Sequence, residues 1–168
     1  SFREQDTVTP VVLMGYINPI EAMGYEAFAA LAASAGVDGT ILVNVPPEEG
    51  QVLDQAMLSE GLDPVYLLAP TTPEARASMI FERTRGFIYY VSVKGITGAG
   101  NLDIDEVTRR VAAFKAYATT PIVVGFGIKD GESAAQVARV SDGAVVGTAL
   151  VSLMAANEQE PVRLREAV

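Results

Sequence analysis

The feature that most constrains the fold is a repeated alternation of short apolar runs with helical patterns. Apolar runs of strand length begin at residues 10, 38, 64, 86, 121 and 143, and a segment with helical spacing follows each one. The runs are continuous rather than alternating, which is typical of parallel strands buried on both faces. Repeated βα units with right-handed crossovers form a doubly wound sheet or a barrel. We therefore predict a parallel α/β fold of six βα units.

The predicted strands are 10–16, 38–45, 64–69, 86–92, 121–127 and 143–150. One helix is expected to run from Asn18 to Gly36, and another to begin after an N-cap at Thr72, with Pro73 as its first residue. A polar helical segment is expected after residue 150. The 168 residues contain no linker or shift in composition, so we predict a single domain over 1–168.

Composition excludes several classes of function. The chain has no His and no Cys, so acid–base chemistry must use Asp, Glu, Lys or Tyr, and no thiolate or His-rich metal site is expected. The net charge of −9 argues against a nucleic-acid partner. No run is long and apolar enough to cross a bilayer, so we expect no membrane partner. The lack of Cys suits a reducing compartment, and we predict a cytoplasmic location.

Glycines follow or end the last three predicted strands. Gly98 follows the fourth strand, Gly127 ends the fifth, and Gly147 lies beside Thr148 near the end of the sixth. Ligand sites of α/β folds lie at the C-terminal ends of parallel strands, and the loops after the last two strands of a barrel often bind phosphate. Backbone N–H groups and a helix N-terminus attract anions. We predict a phosphate site here; tight strand-to-helix turning is the alternative explanation.

The motifs as a set resemble the α subunit of tryptophan synthase. They include "VVLMGYINPI", "VPPEEG", "YYVSVKGITGAG", "PIVVGFGIKDGESAAQV" and "GAVVGTALV", in the family's order from about residue 9 to residue 153. The resemblance implies a (β/α)8 TIM-barrel fold, of which strands 3 to 8 are present in this chain. It also implies retro-aldol cleavage of indole-3-glycerol phosphate to indole and glyceraldehyde 3-phosphate, in tryptophan biosynthesis. The implied partner is a β subunit, which uses pyridoxal phosphate; the α subunit needs no cofactor.

The resemblance assigns roles to residues near the strand ends. Tyr89 matches a tyrosine that touches a catalytic carboxylate, and Thr97 matches a loop threonine that orients a catalytic aspartate when the loop closes. The substrate phosphate would be held by a group of glycines and one threonine: Gly98, Gly127, Gly147 and Thr148.

Four further residues have both a functional and a structural interpretation. Phe126 and Met14 would line the indole pocket, and core packing is their alternative role. Asn18 and Pro19 match the loop that faces the β subunit, and an ordinary helix N-cap followed by proline is the alternative.

The sequence departs from the family pattern in two respects. The family's catalytic Glu and Asp correspond to sequence upstream of Ser1, so we expect the chain by itself to be inactive. Asn44 stands where the family usually has an aspartate. Glu48 and Glu49 follow "VPP" at a predicted helix start, where exposed acidic residues are common, and we assign them no catalytic role.

Six strands cannot close an eight-stranded barrel with the same tilt and shear. The open edges and apolar faces would favour self-association, so we expect a piece of a longer protein, a self-associating partial barrel or a swapped oligomer. Two other functions stay open. One is a non-catalytic phosphate-binding partner of the β subunit. The other is a different phosphate-binding barrel lyase or isomerase.

Overall fold

A computed structural model describes residues 2–92, 104–125 and 127–158. The chain divides into two compact units. The first comprises Ser1–Leu68 and Pro73–Ile88, and the second comprises Ala69–Thr72 and Tyr89–Val168. Each unit contains a set of neighbouring strands with helices between them, as the alternation of apolar and helical segments predicts.

The first unit is built on a parallel sheet in the order β1-β2-β3. Val12 pairs with Gly39, and Gly39 pairs in turn with Asp63. After a short 3-10 helix (Phe2–Glu4), its elements are β1 (Val12–Gly15), α1 (Ile17–Met23), α2 (Tyr25–Ser34), β2 (Gly39–Leu42), α3 (Gln51–Ser59), β3 (Asp63–Val65), β4 (Leu67–Leu68) and α4 (Glu74–Arg83).

The core of the first unit lies between helices α1, α2 and α3 and strand β2. Met57 and Ala29 are fully buried there, and every residue of β2 is buried. The cluster consists of small and aliphatic side chains: Ile20, Ala29, Ala32, Leu42, Leu53, Ala56, Met57 and Leu62. Burial of this apolar surface drives the helices onto the sheet.

The second unit has neighbouring strands in the order β5-β6-β7. Strands β6 and β7 are parallel, with Val123 opposite Gly143. Its elements are β5 (Ile88–Val91, whose first residue belongs to the first unit), α5 (Ile104–Lys115), β6 (Ile122–Gly125), α6 (Gly131–Val140), β7 (Gly143–Val145) and α7 (Thr148–Ala156). Helix α5 buries Val107, Val111 and Phe114, at the spacing of one helical face.

All six predicted strand regions contain strands, but one predicted helix and one predicted strand are each divided in two. The helix expected from Asn18 to Gly36 is two helices, because Gly24 between them has a φ of 92° and cannot continue an α-helix. The strand expected over 64–69 is divided at Tyr66 into β3 and β4. Short-range apolar patterns do not report such breaks, which depend on backbone geometry.

The N-cap prediction at Thr72 and the last strand also need correction. Pro73 is the N-cap of α4, and the Thr72 hydroxyl instead accepts a hydrogen bond from the Ala69 amide at 2.9 Å. The strand predicted over 143–150 ends at Val145, and α7 starts at Thr148. The apolar run continues through both elements, so composition alone did not mark the transition. Helix α7 is apolar, and the polar residues from 159 onward, on which the predicted polar helical segment depends, lie outside the described residues.

Candidate functional site

A cleft of about 480 Å³ opens beside the first turns of α7 in the second unit. Among the predicted phosphate-site residues, Thr148 lines it directly, as the first residue of the helix. The other lining residues come from α7 and from the segment after β6: Ile128, Lys129, Ala149, Ser152 and Leu153. A helix N-terminus with a hydroxyl and an ammonium group nearby has the polarity that an anion requires.

The two described glycines of the predicted phosphate site have different backbone geometries. Gly127 has a φ of 78°, which L side chains rarely adopt, so glycine is needed for the turn after β6. Gly147 is the N-cap of α7 with a φ of −117°, and a Cβ atom added to it would meet open space. The turn alternative therefore explains Gly127, but the conformation of Gly147 does not require glycine.

Lys129 and Ser152 line the cleft but were not among the predicted site residues. Ser152 lies four residues after Thr148, so both project from neighbouring positions on one helix face. The four-residue spacing of Thr148 and Ser152 did not indicate a shared helix face, because residues 143–150 were expected to form a strand. Lys129 is exposed and lies two residues after Gly127 in the turn that follows β6.

Tyr89 packs across strand β6. Its side chain lies so close to Gly125 that any Cβ atom there would clash with the ring and hydroxyl. Burial raises the pKa of Tyr89, so the phenol is neutral at physiological pH. At the adjacent strand end, both the amide and the hydroxyl of Ser92 donate to the Gly125 carbonyl, at 3.0 and 2.9 Å. Gly125 was not among the predicted site residues, although it precedes Phe126 in the quoted motif.

Three predicted site residues lie in the first unit. Met14 is on β1 and is 59% exposed, so core packing within this unit does not account for it. Asn18 and Pro19 are exposed in the first turn of α1. The N-cap of that helix is Tyr16, so the alternative role of Asn18 as an N-cap is wrong. Pro19 is the third helical residue, where a missing N–H leaves no intrahelical bond unmade.

Asn44 links the end of β2 to the start of α1. Its side-chain oxygen accepts from the Ile17 amide at 2.9 Å, and its side-chain nitrogen donates to Oδ1 of the Asn18 side chain at 3.4 Å. The second contact requires a donor at position 44, which a carboxylate does not supply. The amide therefore changes which hydrogen bonds this strand end can make.

A second polar cluster, which the sequence patterns did not indicate, lies beside the loop that joins β2 to α3, residues 43–50. The Tyr66 hydroxyl lies 2.9 and 3.1 Å from the two carboxylate oxygens of Asp54, and Arg83 Nε lies 3.0 Å from Asp54 Oδ2. Burial raises the pKa of Asp54, although Tyr66 and Arg83 both oppose the shift. Burial also raises the pKa of Tyr66, with a further contribution from Asp54.

Three predicted site residues, Thr97, Gly98 and Phe126, lie outside the described residues. Glu48 forms an exposed ion pair with Arg76 at 3.3 Å, in keeping with its non-catalytic assignment. Across residues 2–92, 104–125 and 127–158, no group of three Asp or Glu residues is placed to hold a metal ion. Within the same ranges, no helix has the length and apolar character needed to cross a membrane.

The sequence matches the family model described as "Tryptophan synthase alpha chain" over residues 1–167. The chain belongs to the tryptophan synthase alpha chain family. The alpha chain of Thioalkalivibrio sulfidiphilus is 56% identical over all 168 residues, and that of Marinobacter nauticus is 52% identical over 167. The chain spans 63% and 62% of the lengths of these relatives.

Solved structures of the family have the same fold. The tryptophan synthase subunit alpha of Legionella pneumophila matches with a TM-score of 0.88 and 42% identity, over 99% of this chain and 62% of that one. A chain from the Pyrococcus furiosus tryptophan synthase α2β2 complex matches with a TM-score of 0.86 and 34% identity, over 98% and 67%. The predicted TIM-barrel family fold is thereby confirmed.

Proposed function

We propose that this chain carries the substrate-phosphate site and part of the active site of an alpha-type lyase of tryptophan biosynthesis. The reaction is retro-aldol cleavage of indole-3-glycerol phosphate to indole and glyceraldehyde 3-phosphate, in the cytoplasm. The observation that carries the proposal is the cleft at the N-terminus of α7, with Thr148 on its wall, in a chain of the tryptophan synthase alpha family.

In this proposal the phosphate is bound mainly by backbone. Amides near Gly127 and Gly147 and the hydroxyl of Thr148 hold the anion, and Gly98 contributes from the segment after β5. The dipole of the nine-residue helix α7 adds a favourable field at its first turn. Lys129, exposed on the same cleft, supplies a positive charge that the resemblance did not assign.

The proton-transfer groups are proposed to come from a Glu and an Asp on the part of the family fold that precedes β1. Tyr89 supports the Glu and Thr97 orients the Asp. Phe126 and the exposed Met14 supply apolar surface for the indole ring. Since none of the carboxylates of this chain is assigned to proton transfer, we propose that the 168 residues alone do not release indole.

The proposed partner is a tryptophan synthase β subunit. The Pyrococcus furiosus match comes from an α2β2 complex, and the exposed positions of Asn18 and Pro19 on α1 suit a contact surface. Self-association is a second proposal, supported by the exposure of Leu13 and Met14 on β1. A monodisperse monomer by light scattering would contradict it.

Indole release from indole-3-glycerol phosphate tests the proposed reaction. We would assay the 168-residue chain, and the same chain joined to the N-terminal segment of a relative that precedes the matched region, each with and without a β subunit. We expect the joined chain to release indole and the 168-residue chain to release none. Release by the 168 residues alone would overturn the assignment of the carboxylates.

The alternative function is phosphate binding without chemistry. It predicts that the joined chain binds glycerol phosphate through the α7 cleft but releases no indole, even with a β subunit. A Thr148→Val variant, which keeps the side-chain shape and removes the hydroxyl, would weaken binding under either function. Only cleavage separates the two.

A further inference from the structure

The loop after β2, residues 43–50, is fixed from behind by three side chains that we call the Asp54 cluster: Asp54, Tyr66 and Arg83. Asp54 lies on α3, Tyr66 separates β3 from β4, and Arg83 is the last residue of α4. Asp54 is 7% exposed and Tyr66 is 6% exposed. The cluster thus joins three elements of the first unit through buried polar contacts.

Two direct contacts connect the cluster to the loop. The guanidinium of Arg83, while its Nε binds Asp54, donates through Nη1 to the carbonyl of Pro47. The Tyr66 hydroxyl lies against Gly50, where any Cβ atom would clash with it. The Arg83 guanidinium therefore binds both the buried Asp54 carboxylate and the Pro47 carbonyl. Gly50, the loop residue that lies closest to the Tyr66 hydroxyl, has no side chain to clash with it.

The energetics indicate that stability alone does not account for the cluster. Removing a carboxylate and a guanidinium from water costs several kcal/mol per ion, and well-packed apolar side chains often replace buried pairs without loss. A cavity of about 10 Å³ beside Asp54 and Tyr66 has room for roughly one water molecule, so no organic ligand fits there. What apolar side chains could not supply is the side-chain donor that Arg83 adds to the Pro47 carbonyl, beside the Gly50 amide.

The loop leads from this cluster to the strand ends where the active site is proposed. At its other end, Asn44 contacts the Ile17 amide and the Asn18 side chain, and the Val43 amide donates to the Gly15 carbonyl at 3.0 Å. Position 44 thereby lies at the C-terminal ends of β1 and β2, where a barrel carries its catalytic groups.

We propose that Asp54, Tyr66 and Arg83 are positioning residues that fix the 43–50 loop and so place Asn44 at the strand ends. The catalytic consequence rests on the proposed function, whereas the conformational consequence does not. The two are tested by separate measurements.

The conformational test is amide hydrogen exchange in the 168-residue chain, in Tyr66→Phe, Arg83→Met and the double variant D54N/R83M. The reporters are the amides of Glu49 and Gly50, which donate to loop carbonyls at 3.0 and 3.4 Å. The Val37 amide, bonded to Ala32 at 3.0 Å outside the loop, reports global opening. Arg85→Met is the matched control, because the Arg85 side chain donates to the carbonyls of Glu82 and Thr84 and acts on Asp54 through its charge, which lowers the pKa of Asp54.

The double variant separates positioning from stability. It removes both charges of the ion pair, so it should recover most of the midpoint of unfolding lost in Arg83→Met. It also removes the side-chain donor of the Pro47 carbonyl, which then keeps only the Gly50 amide at 3.4 Å. We expect exchange at Glu49 and Gly50 to rise at least tenfold in both Arg83 variants, to rise less in Tyr66→Phe, and to stay unchanged in Arg85→Met. Wild-type loop exchange in D54N/R83M would overturn the proposal. Unchanged loop exchange in Tyr66→Phe would overturn the role of Tyr66 in it. These two variants carry the test if Arg83→Met does not fold.

The catalytic test uses the chain joined to the N-terminal segment of a relative. Misplacement of an active-site element by about 1 Å can cost about 100-fold in rate. We expect kcat in the double variant to fall about 10- to 100-fold with KM within about twofold, because none of the three cluster residues is among those that line the phosphate cleft. Equal kcat in wild type and double variant would overturn the catalytic part. No turnover in the wild-type joined chain would instead contradict the proposed function, and the exchange result would stand independently.

Discussion

The loop after β2 and the cleft at α7 achieve their geometry by opposite means. The loop is fixed by the buried Asp54 cluster, in which side-chain charges are withdrawn from water. The cleft is lined by the two residues that follow Gly127 and by the first turns of α7, with exposed polar side chains among them. Among the described residues, the first unit holds its loop with charged groups whose burial carries a desolvation cost. The second unit leaves the polar side chains of its cleft accessible to solvent.

The contrast suits the two proposed tasks. A loop that positions a catalytic group must have one conformation, and buried, mutually satisfied polar groups specify one well. A site that binds a phosphate must keep its N–H donors free until the ligand arrives, so they stay near solvent. Substitutions in the two regions should consequently differ in what they damage, namely stability and conformation in the first and ligand affinity in the second.

The largest effect is expected from Arg83→Met. Removing the guanidinium leaves Asp54 without its ion-pair partner and with the Tyr66 hydroxyl as its side-chain donor. The loss of unfolding free energy should be at most about 3–5 kcal/mol, because Arg83 is partly exposed. Arg83 lowers the pKa of Asp54 against the dominant effect of burial, so its removal raises that pKa further above the ordinary value of 3.8. The variant should therefore be most stable below that value and lose stability as pH rises through the raised pKa.

Urea unfolding at several pH values measures this effect. The D54N/R83M variant has no titrating group at position 54 and should lose the added pH dependence. Arg83→Met with wild-type stability at neutral pH would break the contrast, because the first region would then not depend on buried charge.

Gly125→Ala is expected to have the next largest effect. A methyl group on β6 would clash with the Tyr89 side chain, and overpacking of this kind costs about 1–3 kcal/mol. Gly131→Ala is the control, because a Cβ atom at the start of α6 meets open space and should change stability by less than about 0.5 kcal/mol. Thermal unfolding of the two variants checks the difference; equal midpoints would show that Tyr89 yields freely.

Gly127→Ala and Gly147→Ala test whether the backbone near the cleft binds phosphate. The φ of 78° at Gly127 makes alanine there cost about 1–2 kcal/mol, whereas Gly147 has an ordinary φ and open space. Both substitutions should weaken binding of inorganic phosphate, with about a tenfold loss, or 1.4 kcal/mol, for Gly147→Ala. Calorimetric titration and unfolding together test this; unchanged phosphate affinity in a stable Gly147→Ala would argue against backbone binding there.

The smallest effect is expected from Asp142→Asn in the second unit. Asp142 accepts from Lys115 at 2.8 Å and from the Ile122 amide at 2.9 Å, and these contacts lower its pKa. Its contribution is therefore present above the ordinary pKa and lost as pH falls below it. The pair is more than one-third exposed, so solvent screening leaves at most about 0.5 kcal/mol for the charge. A loss as large as that of Arg83→Met would erase the contrast between the regions.

Sequence patterns predicted the strands well because burial on both faces imposes an unbroken apolar run, as in β2 and β6. They failed at Gly24 and at the start of α7, where the pattern stays apolar while the backbone changes direction. The phosphate-site glycines stay a prediction, which rests on their position at the C-terminal ends of the predicted strands and on the family resemblance. Asp54 was missed because a single carboxylate in an amphipathic helix has the same appearance whether it faces water or, as here, the interior.

The sequence by itself determined the parallel α/β class, the exclusion of His and Cys chemistry and the family. These follow from local composition and from residue order, which the linear chain contains in full. Only the tertiary structure decided that Asp54, Tyr66 and Arg83 meet behind one loop, that Tyr89 covers Gly125, and that Lys129 and Ser152 line the cleft with Thr148. The physical reason is that these contacts join elements far apart in the chain, and only the packing of helices on strands brings them together.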